Sequence, residues 1–161
     1  MPILRVNAIQ ISLRAAVAAT LAYWVAQMLH AHYAIYALIS AVIVTDLSAA
    51  TSRRLAKHRM AGTVIGAVAG AVFVEFLPGG TIAIGAAIGI SMALAFVFRF
   101  ETAAARVAGY VAAIVMTTHG ADSWLYAFER AWETMLGIGS ALLVGLVPLW
   151  LREREERAEP K

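Results

Sequence analysis

Six apolar segments, separated by short polar or glycine-containing breaks, occupy nearly the whole of the 161-residue chain. A helix needs roughly 17–25 predominantly apolar residues to cross a bilayer core of about 30 Å. The pattern therefore predicts an all-α membrane protein with six transmembrane helices. The predicted segments cover residues 8–29, 33–50, 61–77, 81–98, 102–118 and 125–151.

The composition also favours a membrane protein over a soluble one. Hydrophobic residues make up 61% of the chain and charged residues 14%, whereas soluble domains contain about 25% charged residues. A small soluble domain buries too little surface to hide so many apolar side chains, so the surplus is expected to face lipid. We predict one six-helix transmembrane domain over residues 1–151 and a short charged cytoplasmic tail over residues 152–161.

The basic residues predict the orientation and argue against a nucleic-acid partner. They lie at the ends of apolar segments, whereas a nucleic-acid-binding surface needs them clustered on one solvated face. Alternate connections and the tail carry most of them, so the positive-inside rule predicts that the N and C termini are both cytoplasmic. These residues are Arg53, Arg54, Lys57, Arg59, Arg99, Arg106, Arg152, Arg154, Arg157 and Lys161.

Glycines at every fourth position of the third and fourth segments predict close helix packing. Small residues at this spacing line one helix face and let two backbones approach each other in a bilayer. We expect these glycines to have a packing role and no chemistry, and we expect the two segments to form a tight hairpin. The glycines are Gly62, Gly66, Gly70, Gly85 and Gly89.

Two ionisable residues lie near the cytoplasmic ends of the first two predicted helices. Such side chains cost at least about 2.5–3.5 kcal/mol to insert into a bilayer, which makes them functional candidates. Arg14 and Asp46 lie at similar depths, so one interpretation is an ion pair, with Asp46 also a candidate for proton coupling. The other is that Arg14 snorkels to the cytoplasm while Asp46 reaches water.

A second ionisable group lies near the outer ends of the third and sixth helices. Arg130 and Glu133 are one turn apart on one helix face, which continues through Gly137 and Ser140. A small, polar face beside a charged pair favours the wall of an aqueous pathway, with Glu75 and Glu133 as proton-coupling candidates. The alternative is a helix–helix interface held by Arg130 and Glu75.

The outer connections contain several side chains that can bind metal, but no metal site or other cofactor is expected. Their spacing fits no standard ligand set, the chain has no cysteine, and no catalytic or nucleotide-binding motif occurs. An enzyme is therefore not predicted. The side chains concerned are His30, His32, His119 and Asp122.

Three stretches resemble the fusaric acid resistance and aromatic acid exporter superfamily. They are RAAVAA at residues 14–19, RMAGTVIG at 59–66 and ERAWETMLG at 129–137. The middle stretch, an arginine followed by Gly-Thr-x-x-Gly, is the most specific. The chain is also similar to the membrane half of plant aluminium-activated malate transporters.

The resemblance implies a six-helix unit that works as a homodimer in the bacterial inner membrane and exports aromatic or other organic carboxylate anions. Arg14 and Arg130 match arginines of the family, which implies that both attract the carboxylate of a substrate. Many relatives continue into a cytoplasmic domain, so any gating by such a domain is expected to be absent or supplied by a separate partner protein. Asp46 stands where many relatives have an amide.

Three functions remain open on the sequence. A proton-coupled exporter of organic anions would use a carboxylate that alternates between paired and protonated states. A passive anion channel would use arginines as a positive constriction and would ignore a proton gradient. A non-transporting membrane subunit would use the same charges only to hold its helices together.

Overall fold

In a computed structural model, which describes residues 2–77, 79–118 and 122–147, the protein is a bundle of six α-helices with no strand among those residues. The prediction of an all-α fold with six helices is confirmed. The predicted tail and the end of the predicted sixth segment lie outside the described residues. The helices are α1 (Pro2–Met28), α2 (Ala34–Val44), α3 (Ala49–Phe76), α4 (Thr81–Val97), α5 (Thr102–Thr118) and α6 (Ser123–Gly145).

The bundle buries small side chains and exposes large apolar ones. Alanine dominates the buried residues, whereas Ile82 is 90% exposed and Val97 is 73% exposed. This distribution suits helices that pack closely and face lipid. Two stretches, Asn7–Met28 and Ala49–Phe76, are long and apolar enough to cross a membrane, and three shorter apolar helices accompany them.

The boundary between the second and third helices differs from the prediction. The second helix ends earlier than predicted, at Val44, and α3 already begins at Ala49. Residues 52–59, predicted as a connection, are therefore the first turns of α3. The turn between α2 and α3 is held by its polar side chains. An Asp46 carboxylate oxygen accepts the Ser48 N–H at 2.8 Å, and the Ser48 hydroxyl caps α3 by accepting the Thr51 N–H. Such a cap satisfies a backbone donor that the first helical turn leaves free.

The first turns of α3 are amphipathic, although their charged residues are also typical of a loop. Ser52, Ala56 and Arg59 are buried at helical spacing, while Arg53 and Lys57 are exposed. At about 1.5 Å per residue, α3 is about 42 Å long, which exceeds the bilayer core.

Three glycines bring α3 against α5. A Cβ added to Gly62 or Gly66 would overlap a backbone carbonyl oxygen of α5, and one added to Gly70 would lie 2.8 Å from the Val115 Cβ. By contrast, a Cβ on Gly85 or Gly89 would meet no described heavy atom within 4 Å. Within the protomer, the packing prediction is therefore wrong for the two α4 glycines.

The starts of α2 and α6 are offset along the bundle. We call the end of the bundle with the α1–α2, α3–α4 and α5–α6 connections the distal end. The opposite end is called the proximal end. Tyr33 at the start of α2 lies beside Glu133, about 15 Å along α6 from Ser123 at about 1.5 Å per residue. The α1–α2 connection is thus recessed below the distal end of α6.

Candidate functional site

Two buried arginines from different helices define the candidate site. Arg59 of α3 is 2% exposed and Arg130 of α6 is 1% exposed. The Arg59 Nε donates to the Ser40 hydroxyl at 3.1 Å. The guanidinium carbon of Arg130 lies 3.1 Å from the centroid of the Tyr36 ring, a cation–π contact. The two positive charges are close enough to act on each other.

Several polar atoms of this site have no hydrogen-bond partner among the described residues. They include Nη1 of Arg59, Nε and Nη1 of Arg130, and Oε2 of Glu133. Neither arginine forms a salt bridge with a carboxylate of the described part of the chain. A buried charged donor without a partner is costly, so these guanidinium groups are suited to an anion that brings its own acceptors.

Glu133 is the carboxylate on the same face as Arg130. Its side chain is 1% exposed, and its Oε1 accepts the backbone N–H of Tyr33 at 2.6 Å. This bond joins the start of α2 to the middle of α6. The site therefore combines two guanidinium groups with one carboxylate, which leaves it with a positive balance when all three are ionised.

Three tyrosines form a cluster that Arg130 contacts through the Tyr36 ring. The Tyr126 hydroxyl donates to the Tyr36 hydroxyl at 3.1 Å. The Tyr33 and Tyr126 rings meet edge to face with centroids 5.1 Å apart. These rings give the charged site walls that are apolar on their faces and polar at their hydroxyl groups.

Arg14 and Asp46 lie at the proximal end, away from the two buried arginines. Arg14 donates to the backbone carbonyl oxygens of Asp46 at 3.3 Å and of Val147 at 2.6 Å. The two residues are neighbours, as the ion-pair interpretation expects, but no salt bridge joins them: Arg14 contacts the backbone of Asp46, and an Asp46 carboxylate oxygen accepts the Ser48 N–H. Arg14 thus ties α1 to the backbone just beyond the ends of α2 and α6.

The predicted polar face of α6 lies against another helix. A Cβ on Gly137 would overlap the Ala37 carbonyl oxygen of α2. Ser140 is buried, and its hydroxyl donates to the Leu136 carbonyl of its own helix at 3.0 Å. Within the protomer, this lower part of the face is a helix–helix contact and not a water-lined wall.

Glu75 and Arg130 do not hold the interface that was considered as an alternative. Glu75 Oε1 accepts the Trp124 indole N–H at 2.5 Å. This contact ties the distal end of α3 to the first turn of α6. Glu75 thus lies at the distal end of the bundle, on the far side of the site from Arg14.

Arg59 is the main residue of the site that the sequence analysis did not assign to it. It was counted among the cations that set orientation, although it also opens the Arg-x-x-Gly-Thr-x-x-Gly motif. Its helix turns this motif inward, so that Thr63 is also fully buried. The motif was the signal in the sequence that could have identified Arg59. An arginine in a loop needs no fixed spacing to two packing glycines, whereas one on the same helix does.

Comparison with known proteins identifies the family. A family model described as fusaric acid resistance protein-like matches residues 21–144, which include Arg59, Arg130 and Glu133 but not Arg14. No curated protein and no solved structure matches the chain. Because the match covers well over half of the sequence, the chain belongs to the fusaric acid resistance protein-like family and is a membrane protein of the transport and resistance type.

Proposed function

We propose that this protein exports aromatic or other organic carboxylate anions across the bacterial inner membrane, as a proton-coupled transporter that works as a homodimer. The observation that carries the proposal is the pair of buried arginines, Arg59 and Arg130, with donors that no described carboxylate occupies. Guanidinium groups present planar sets of N–H donors that match the geometry of a carboxylate.

The tyrosines support an aromatic substrate in particular. Tyr36 lies against the Arg130 guanidinium and forms a cluster with Tyr33 and Tyr126, and aromatic rings favour edge-to-face or offset contacts with other rings. A carboxylate held by the arginines would leave the ring of its acid among these side chains.

Glu133 supports coupling to protons. Its carboxylate lies close enough to Arg130 for the two charges to act on each other, so binding a proton to Glu133 changes the net charge that an anion meets at Arg130. Two ligands that act on each other in this way are coupled reciprocally. A test of this coupling imposes the proton gradient in both directions.

The experiment is the flux of 4-hydroxybenzoate into liposomes containing the purified protein, with the voltage clamped and a proton gradient imposed in either direction or removed. Accumulation above equilibrium that needs the gradient supports a coupled transporter. Downhill flux that ignores it would support a passive channel. No flux of 4-hydroxybenzoate or malate would favour a non-transporting subunit.

Matched variants of α3 and α6 test the site itself. Arg59→Gln and Arg130→Gln each remove a buried charge, and we expect substrate affinity to fall roughly 10- to 100-fold, because a hydrogen bond to a charged group contributes about 1.5–3 kcal/mol. Arg53→Gln removes an exposed charge of the same helix and should leave transport unchanged. Equal transport by all three variants would contradict the proposed site.

A further inference from the structure

A line of ionisable side chains leads from the distal surface to the buried site. His32 in the α1–α2 connection has a side chain that is 74% exposed, and its Nδ1 lies 2.5 Å from the Glu129 Oε1. The side chain of Glu129 is 20% exposed, whereas Glu133, one turn further along α6, is 1% exposed. Exposure therefore falls step by step from His32 to Glu133.

The recessed α1–α2 connection explains how this line reaches so deep. Because Tyr33 bonds to Glu133, the neighbouring His32 is held beside Glu129. Glu129 lies about 9 Å along α6 from Ser123 at about 1.5 Å per residue. Meanwhile, the contact between Glu75 and Trp124 keeps α3 up to the level of the first turn of α6. His32 is thus exposed at a depth where α3 and α6 continue past it.

The groups around Glu133 are mainly those of the proposed anion site. Charges that act on its carboxylate come from Arg130 and Glu129 of α6 and from His32. Tyr33 donates its backbone N–H to Oε1, while Oε2 has no hydrogen-bond partner among the described residues. Arg130 is in turn surrounded by Tyr36 and Tyr126 from α2 and α6 and acts on Arg59 from α3.

We propose that His32 and Glu129 form a proton relay between the distal solvent and Glu133. The inference rests on the transport function proposed above and names the route by which its protons move. Of the three carboxylates considered for coupling, Glu133 is the one on this route, since Asp46 bonds within the proximal turn and Glu75 bonds to an indole.

Each step of the relay moves one proton and changes no other bond. With its Nδ1 protonated, an imidazolium at His32 transfers that proton to Glu129 Oε1, which leaves a neutral imidazole and a carboxylic acid. The acid passes the proton to Glu133 and becomes a carboxylate again. Residues one turn apart on a helix have Cβ atoms about 5–6 Å apart, a gap that rotation of the Glu129 carboxyl group or one water molecule closes.

The test separates proton-driven transport from anion exchange in liposomes containing the full chain. Proton-driven uptake of 4-hydroxybenzoate is measured together with the internal pH, and exchange is measured with the same anion on both sides and no gradient. For His32→Gln and Glu129→Gln, we expect proton-driven uptake to fall at least about tenfold, with little change in exchange. His30→Gln, which alters an exposed histidine of the same connection, is the control and should keep both activities.

The outcomes distinguish the relay from the function on which it rests. If the wild-type protein exchanges no anion, the transport proposal itself fails. If it exchanges the anion and the two relay variants keep wild-type proton-driven uptake, the relay is overturned. The relay is also overturned if exchange falls in the same proportion as proton-driven uptake, because the His32–Glu129 contact would then be structural.

Discussion

At the scale of single residues, the arginines differ in burial and in bonding partners, and the sequence alone does not show these differences. Arg14 and Arg130 were both assigned to an anion pathway, and Arg59 to the cytoplasmic surface. In the structure, Arg59 and Arg130 are buried together, while Arg14 bonds to backbone carbonyls at the proximal end. The residue types suited to anion binding could therefore be predicted, but their partners depend on how the helices pack.

Arg14 is expected to stabilise the fold rather than bind substrate. Its guanidinium joins α1 to the ends of α2 and α6, so Arg14→Ala should lower the free energy of unfolding by about 1–2 kcal/mol, at about 1 kcal/mol for each hydrogen bond. We expect 4-hydroxybenzoate flux per folded molecule to be retained. Thermal unfolding in detergent, followed by the liposome assay, measures both. A stable variant with strongly reduced flux would instead return Arg14 to the anion pathway.

At the scale of the helices, the lengths of the apolar segments correctly predicted six helices. They located the boundary between α2 and α3 poorly. The mean hydropathy of residues 52–59 is low, so this stretch looks like a break between two helices. In the structure it is helical, with Arg59 on the buried face and Arg53 on the exposed face. Which face of α3 is buried depends on the helices packed against it. Counting the apolar residues of a segment therefore cannot detect it. Ser48, whose hydroxyl caps α3 by accepting the Thr51 N–H, is a local signal of the true start of the helix.

Two glycines of α6 give a matched test of helix packing. A Cβ on Gly137 would overlap the Ala37 carbonyl oxygen, whereas a Cβ on Gly139 would meet no described heavy atom within 4 Å. Overpacking typically costs about 1–3 kcal/mol, so Gly137→Ala should lower the thermal midpoint in detergent. Gly139→Ala should leave it unchanged or raise it slightly, because alanine favours a helix over glycine. Equal midpoints would mean that α2 can move away from α6 at little cost.

At the scale of the whole molecule, orientation decides which compartment each part of the site can reach. The positive-inside pattern predicts that the proximal end faces the cytoplasm. In that orientation, His32 opens to the outer side, where protons are more abundant when the membrane is energised. Arg59, which bonds to Ser40 about two turns further along α2 than Tyr33, then lies on the cytoplasmic side of this route.

The absence of native cysteines allows this orientation to be tested with single-cysteine variants. Asp122→Cys lies in the distal α5–α6 connection, and Arg53→Cys lies on the exposed face of α3 near the proximal end. With a membrane-impermeant maleimide, Asp122→Cys should label in intact spheroplasts, whereas Arg53→Cys should label only after the membrane is permeabilised. The opposite pattern would place His32 and Glu129 on the cytoplasmic side, so that the same relay would exchange protons with the cell interior.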